Sequence, residues 1–448
     1  MSQNVALCGN APFRAPADVR KCPEMSGLAK WSQLGGAIET GIVEPSGHPK
    51  TKRVAPRALR DVGFFLFSSA GHLGNVPGMI AIPQRLLLGP GPSDVPPRVL
   101  EALAHPTIGH LDPVFLQHMD DLRVKLRQVF RTHNALTFPV SATGSAGMEA
   151  AFVNFVEPGD TVVIGVNGVF GQRMCEVAAR CRAEVVRVDV EWGRAIDPQQ
   201  LLDAHRNPKI IATVHAETST GVRNDVAELG ANKGDALLLV DTVTSLGGIP
   251  LEIDEWGIDI AYSGTQKCLG VPPGLSPLTV SARALDRIVA TPQSWYLDLN
   301  MIKKYVTGEG ARAYHHTAPI SMIYGLHAGL GVILDEGLEN SWARHAECGE
   351  LLQRGLESMG MTLFAQEGHR LPELTTVWVP EALPAGTDEA ALRRALLQRY
   401  GIEIGGGLGP VAGKVWRIGC MGHTARHRNV TLLLGALREL LQAEPARA

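Results

Sequence analysis

The sequence predicts an α/β protein with a large domain, built on a mostly parallel mixed sheet flanked by helices, and a small α+β domain. Short runs of β-branched residues alternate with amphipathic stretches between residues 113 and 290, as in a parallel sheet covered on both faces. From about residue 320, long helical stretches and two strand-like runs replace that alternation. The 448 residues, 45% of them hydrophobic, exceed one compact core and are sufficient for two. We assign residues 83–336 to the large domain and 337–448 to the small one.

The elements follow from these patterns in chain order. Strands of the large domain are predicted at 161–165, 184–189, 210–215, 237–241, 258–263 and 278–280, and its helices at 113–129, 147–155, 171–180, 198–203 and 282–290. For the small domain we predict a long helix reaching residue 338, helices at 342–359, 389–400 and 428–442, and strands at 374–379 and 414–418. Ligands of such sheets collect at the carboxyl ends of the strands.

Residues 1–82 differ in composition from the rest of the chain. They are rich in Gly, Pro and Ser, and they lack sustained periodicity. We interpret this segment as a disordered or spurious extension, with Met25 or Met79 as alternative starts. A transit peptide is the less favoured alternative, because acidic residues such as Asp18 and Glu24 are unfavourable in such signals.

Charge and cysteine content exclude several classes of function. A formal charge of −3 and a pI near 6.6 give no basic footprint for nucleic acid or an anionic membrane. No run of about eighteen apolar residues is present, so no membrane span is predicted. The seven cysteines are scattered and never form CxxC, which indicates neither disulfides nor zinc but reduced thiols in the cytoplasm. Cys268 is interpreted as a packing residue.

The pairing of Lys267 with Asp241 predicts a cofactor. Asp241 ends the apolar run 237–241, and Lys267 follows the polar turn 262–266. A lysine amine can condense with the aldehyde of pyridoxal phosphate, and a carboxylate can keep the pyridine nitrogen protonated. The alternatives are a surface lysine and a carboxylate that caps a turn. The apolar Gly/Pro loop after Lys267 argues against a solvated ammonium.

Two further features fit the same chemistry. The glycine-rich stretch 141–147 joins a strand-like run to a helix and could hold a phosphate, although a simple helix cap is an alternative. Arg417 lies in an apolar run, where its guanidinium suits a substrate carboxylate or a structural ion pair. Val243, two residues beyond Asp241, could press against one face of the cofactor ring.

Five motifs together resemble the class V aminotransferases of fold type I, and most closely their alanine–glyoxylate / serine–pyruvate aminotransferase group. The resemblance spans roughly residues 82–440. The motifs are LLLGPGPS at 86–93, LVDTVTSLGG at 239–248, YSGTQK at 262–267, YHHT at 314–317 and GGLGP at 406–410.

The resemblance implies a role for each matching position. Lys267 would join the cofactor aldehyde, Asp241 would hold the pyridine nitrogen, and Thr218 would donate to the ring 3′-oxygen. The phosphate would be bound by Thr143, Gly144, Ser145 and Gln266, joined by Tyr314 and Thr317 of a neighbouring subunit in a homodimer. Arg417 and Gly91 would bind the substrate.

Two positions depart from the family pattern. Phe170 stands where close relatives place a tryptophan over the cofactor ring, so a stacking ring is kept but the indole N–H is lost. Ordinary core packing is the alternative for Phe170. Ser145 stands where some members have a histidine.

Metal binding and a peroxisomal address are not predicted. His315 and His316 are adjacent, and neighbours on a strand would point to opposite faces, with no third ligand nearby. The tail 444–448 is not of the Ser-Lys-Leu kind, which leaves the cytoplasm as the expected location.

The predicted reaction is a ping-pong transfer of an amino group from alanine or serine to glyoxylate or pyruvate. The sequence offers no obvious second basic residue for a distal carboxylate, which favours small neutral side chains. Same-fold alternatives are a lyase or cysteine desulfurase, which needs a cysteine on a mobile loop, and a 2-aminoethylphosphonate aminotransferase, which needs no α-carboxylate site. A non-catalytic scaffold that binds pyridoxal phosphate is the non-enzyme alternative.

Overall fold

The computed structural model describes residues 82–307 and 312–442. The predictions for residues 1–81 and for the tail 444–448 therefore lie outside the described residues. Of the described helices, none is both long and apolar enough to cross a membrane.

Strands and helices alternate between residues 113 and 214, and the order is less regular in the rest of the described chain. The strands are β1 (Leu86–Leu87), β2 (Leu136–Val140), β3 (Thr161–Val166), β4 (Glu184–Asp189), β5 (Ile210–Val214), β6 (Ala216–Glu217), β7 (Val222–Arg223), β8 (Leu237–Asp241), β9 (Ile260–Tyr262), β10 (Ser276–Val280), β11 (Leu374–Trp378), β12 (Ile402–Glu403), β13 (Gly405–Gly406) and β14 (Val415–Gly419). The helices are α1 (Pro97–Leu103), α2 (Pro113–Phe130), α3 (Gly144–Val153), α4 (Val169–Arg180), α5 (Pro198–Asp203), α6 (Ala227–Asn232), α7 (Ala282–Leu285), α8 (Leu299–Val306), α9 (Ile320–Glu336), α10 (Leu338–Ser358), α11 (Glu389–Ala395) and α12 (His427–Gln442).

The main sheet has the order β2-β10-β9-β8-β5-β3-β4. All neighbouring pairs are parallel except those of β10, which is antiparallel to both β2 and β9. The predicted mostly parallel mixed sheet is therefore confirmed. The predicted bounds of β4, β8 and α5 are also those observed, whereas α7 ends at Leu285 and not at residue 290.

A second hydrophobic core lies under the antiparallel sheet β11-β14-β13. Trp416 of β14 is fully buried there, and α10 and α12 pack against each other. The helix predicted at 389–400 is α11 continued by a π-helical segment, Leu396–Tyr400. Leu88 also belongs to this core, because β1 pairs in parallel with β12.

The carboxyl ends of β2, β3, β5, β8 and β9 lie at one edge of the main sheet. Asp241 is the last residue of β8, and the segments that follow the other strands carry the glycine-rich stretch 141–147, the start of α4, residues 215–219 and the turn 263–267. This edge is where an α/β sheet binds its ligands.

Candidate active site

A cavity of about 150 Å³ opens at this edge of the sheet. It brings together eight of the residues selected from the sequence: Thr143, Gly144, Ser145, Phe170, Asp241, Val243, Gln266 and Lys267. Three further residues complete the wall: Met148 and Arg173, which sequence reasoning did not select, and Tyr262, which it used only as part of a motif.

Lys267 is buried, with 9% of its surface exposed. Its Nζ donates a hydrogen bond to the carbonyl of Pro90. Burial, assisted by the nearby Arg417 guanidinium, lowers the pKa of the lysine to about 8. Gly91 makes room for it, since a Cβ at this position (φ +104°) would lie 2.6 Å from Nζ.

Asp241 presents a carboxylate whose orientation is fixed on both sides. Oδ1 accepts a 2.8 Å bond from the Val243 N–H, and Oδ2 accepts a 2.8 Å bond from the Tyr262 hydroxyl. Burial nevertheless raises the pKa of Asp241 to about 6, against the effect of these bonds and of Lys267. A buried carboxylate of this kind is stabilised when a cation meets it.

The N-terminus of α3 forms another part of the wall. Its N-cap residue, Thr143, makes no side-chain capping bond. Gly144 lies close to Val243, since a Cβ on the glycine would be 3.2 Å from Cγ2 of the valine. Oε1 of Gln266 is buried without a hydrogen-bond partner. An uncapped helix N-terminus at a cavity favours an anion.

Phe170 and Arg173 reach the cavity from the first two turns of α4. The guanidinium carbon of Arg173 lies 5.0 Å from the centre of the Phe170 ring, and its Nη1 donates a 3.3 Å bond to Ser145 Oγ. Sequence reasoning missed Arg173. Its spacing of three residues from Phe170, which places both on one helical face, is the signal that could have found it.

The family described as aminotransferase class-V matches residues 85–423 of the sequence. The chain belongs to the class-V aminotransferase family. Among solved structures it is similar to the alanine–glyoxylate aminotransferase of Nostoc sp., with 48% identity, a TM-score of 0.77, and coverage of 81% of this chain and 97% of that one.

Other class-V relatives match over the same extent. The ureidoglycine–glyoxylate aminotransferase of Bacillus subtilis is 38% identical with a TM-score of 0.78, covering 82% of this chain and 96% of that structure. The alanine–glyoxylate aminotransferase of Callithrix jacchus is 41% identical over 377 residues, which are 82% of this chain and 90% of that protein. The predicted family and the type I fold are thus confirmed.

Pyridoxal phosphate is the cofactor of this class-V aminotransferase, and the cavity fits it. The fit rests on a low-pKa amine at one end, a buried carboxylate that needs a cation, and an uncapped helix N-terminus that suits a phosphate. When bound, this cofactor supplies an aldehyde for an amine and a ring that accepts electrons.

Arg417 and Thr218 lie just outside the cavity wall. Arg417 is buried in β14, where Nε donates a 2.7 Å bond to the Gly406 carbonyl and Nη1 a 3.4 Å bond to the Thr218 carbonyl. Burial lowers the pKa of Arg417 to about 10, partly offset by Glu217. The guanidinium therefore remains charged at neutral pH and acts on Lys267 from nearby.

The predicted partner-subunit residues do not line the cavity within one chain. Tyr314 is 58% exposed, and its hydroxyl lies 3.3 Å from Thr317 Oγ1. Two exposed aromatic residues lie close by in the fold, Trp295 stacked on His315 and Tyr296 packed against the same ring.

The interpretation of His315 and His316 as strand residues on opposite faces is wrong. The segment is irregular, which lets the two rings meet with their Nδ1 atoms 2.7 Å apart. His316 Nε2 also lies 2.7 Å from Ser141 Oγ, next to the glycine-rich stretch. Within residues 82–307 and 312–442, no group of three or more metal-ligating side chains is present.

Proposed function

We propose that this class-V aminotransferase moves the amino group of alanine or serine to glyoxylate or pyruvate by a ping-pong mechanism. The observation that carries the proposal is the presence of Lys267 and Asp241 on the wall of one small cavity, within electrostatic reach of buried Arg417. Both similar structures named above carry glyoxylate in their names.

Each residue of the site has a separate proposed role. Lys267, with a pKa near 8, can take and return a proton close to neutral pH at the substrate α-carbon. Asp241 would stay ionised against the ring nitrogen, and Phe170 and Val243 would hold the ring between them. Arg417 and Gly91 would orient the substrate carboxylate. Thr218 would donate a hydrogen bond to the 3′-oxygen of the cofactor ring. The phosphate would be bound by Thr143, Gly144, Ser145 and Gln266.

We further propose a homodimer in which Tyr314 and Thr317 complete the phosphate site of the partner. The exposed aromatic side chains of Trp295, Tyr296 and Tyr314 support an interface, since such groups are enriched in protein contacts. Tyr296 also donates a 3.1 Å bond to the Ser141 carbonyl, so this surface continues to the phosphate end of the cavity.

The burial of the cysteines argues against the desulfurase alternative. A desulfurase needs a cysteine on an accessible loop, but every cysteine within the described ranges is buried.

The cytoplasm remains our proposed location, in keeping with those free thiols.

A donor–acceptor panel tests the proposal. Purified protein with pyridoxal phosphate should convert alanine or serine with glyoxylate or pyruvate, and the half-reaction with either donor alone should change the near-visible spectrum. Reduction with borohydride should attach the cofactor covalently to Lys267. Sulfide release from cysteine, activity confined to 2-aminoethylphosphonate, or cofactor binding without any transfer would each contradict the proposal.

A further inference from the structure

Glu217 is a fully buried carboxylate that contacts the helix carrying Phe170 but does not itself line the cavity. Its Oε2 accepts hydrogen bonds from the backbone N–H groups of Phe170 (3.0 Å) and Gly171 (3.3 Å). Its Oε1 accepts bonds from the N–H (3.1 Å) and the hydroxyl (2.5 Å) of Ser219. The side chain thus caps α4 from a distant part of the chain.

The backbone at position 168 packs directly against this contact and leaves no space for a side chain there. A Cβ on Gly168, the N-cap of α4, would overlap the Glu217 carboxyl group and Ser219 Oγ. Ser219 Oγ also accepts a 2.9 Å bond from the Val169 N–H. The first three N–H groups of α4 are therefore all held by the segment 217–219, which begins at the last residue of β6.

The N-terminus of α4 stabilises the negative charge of Glu217. Burial raises its pKa to about 6, assisted by Asp241 and opposed by the bonds from Ser219 and Gly171. The group is still mostly ionised at neutral pH, and within the described residues no ion pair joins it to a cation. An anion at a helix N-terminus is stabilised by the helix dipole.

We propose that Glu217 is a positioning residue for the cofactor. It fixes the first turn of α4, and thereby the place at which the Phe170 ring and the Arg173 guanidinium meet the cavity. The inference rests on the proposed stacking role of Phe170 and adds the group that sets it. Glutamine at 217 would direct an NH₂ group at one pair of donors, so one half of the cap would be lost.

A double-mutant cycle on cofactor affinity tests this role. We would measure the dissociation constant of pyridoxal phosphate for the apo-protein of the wild type, Glu217→Gln, Phe170→Ala and the double variant. Glu217→Gln should weaken binding about tenfold in the wild type and less than about twofold in the Phe170→Ala background. It should also reduce the visible circular dichroism per bound cofactor, which a loss of fold stability alone would not change.

Two variants guard against trivial results. Glu373→Gln is the matched control, because this carboxyl group is equally buried but both its oxygens lack hydrogen-bond partners; it should leave cofactor affinity and dichroism unchanged. Gly168→Ala should displace Glu217 without removing its charge and shift both readouts in the same direction, and it replaces Glu217→Gln in the cycle if that variant does not fold.

The results distinguish a failure of the inference on Glu217 from a failure of the stacking role proposed for Phe170. If Glu217→Gln weakens binding equally in both backgrounds, Glu217 does not act through Phe170 and the inference is overturned. If Phe170→Ala alone leaves affinity unchanged, the proposed stacking role fails first.

Discussion

The hydroxyl of Tyr262 donates a 2.8 Å hydrogen bond to Oδ2 of Asp241, and the two residues are register partners on the neighbouring parallel strands β9 and β8. The strand pairing itself therefore places the donor beside the carboxylate. Because the Val243 N–H holds the other oxygen, the carboxylate is oriented by the protein alone.

Tyr262→Phe should lower kcat about tenfold with little effect on the fold, since only one buried hydroxyl is removed. The lost bond lowers the pKa of Asp241 in the wild type, so the pKa should rise in the variant. Activity that depends on ionised Asp241 should then fall off at a higher pH on the acid side. A pH–rate profile identical to that of the wild type would refute this role.

Lys267→Ala should reduce kcat by at least about 10³-fold, because no other amine lines the cavity wall to move the proton. The apo-protein should not lose stability, since a buried ammonium is removed. Lys267→Arg is the control that keeps a charge but cannot serve as the reactive amine. Single-turnover spectra and thermal unfolding check both points, and full transamination by Lys267→Ala would contradict the assignment.

Arg417→Gln should raise KM for alanine and serine on the order of 100-fold, because a buried charge-assisted contact to the α-carboxylate is lost. Arg417→Lys is the control, because it keeps the positive charge but not the planar fork that suits a carboxylate. If this variant processed alanine as well as the wild type does, Arg417 would be a structural residue held by Gly406.

Subunit mixing should reveal a site shared between two chains. Lys267→Ala and Tyr314→Ala should each impair the activity of the proposed homodimer. Refolded together, they should recover activity at about a quarter of the sites, because half of the dimers are hybrids with one intact site each. Mixed chains that remain as inactive as the separate variants would argue against a role for Tyr314 across the interface.

Glu373 should make stability depend on pH. Burial raises its pKa to about 8, so the folded state binds this proton more tightly than the unfolded state does. Its contribution is present below the ordinary pKa near 4.5 and is lost as pH rises towards 8. Relative to the wild type, Glu373→Gln should thus gain a few kcal/mol of unfolding free energy between pH 5 and pH 8. Chemical denaturation at both pH values measures the difference, and a constant difference would show that Glu373 is not buried in this way.

The sequence predicted those parts of the fold and site that local pattern determines. Periodicity located β4, β8 and α5 at their observed bounds. The rule that ligands bind at the carboxyl ends of strands placed Asp241 and Lys267 at one edge before any contact was known. The glycine-rich stretch 141–147 joined them there.

What could not be predicted depends on contacts between distant segments. Tyr262 was selected only as part of a motif, since its bond to Asp241 exists only once β8 and β9 pair. The role proposed for Glu217 depends on its approach to α4 across 47 residues of chain. His315 and His316 were misjudged because their polar pattern gave no sign of an irregular backbone.

The stretch from Leu86 to Ser93 contacts both the C-terminal strands and the turn that carries Lys267. On one side, β1 pairs with β12, and the Leu88 carbonyl accepts a bond from the Gly419 N–H. On the other, the Pro90 carbonyl holds Lys267 Nζ, and Ser93 Oγ donates to the Lys267 carbonyl. A movement of the C-terminal strands would therefore be transmitted through residues 88–90 to Lys267, and a proteolytic cut between these two sets of contacts should remove that connection.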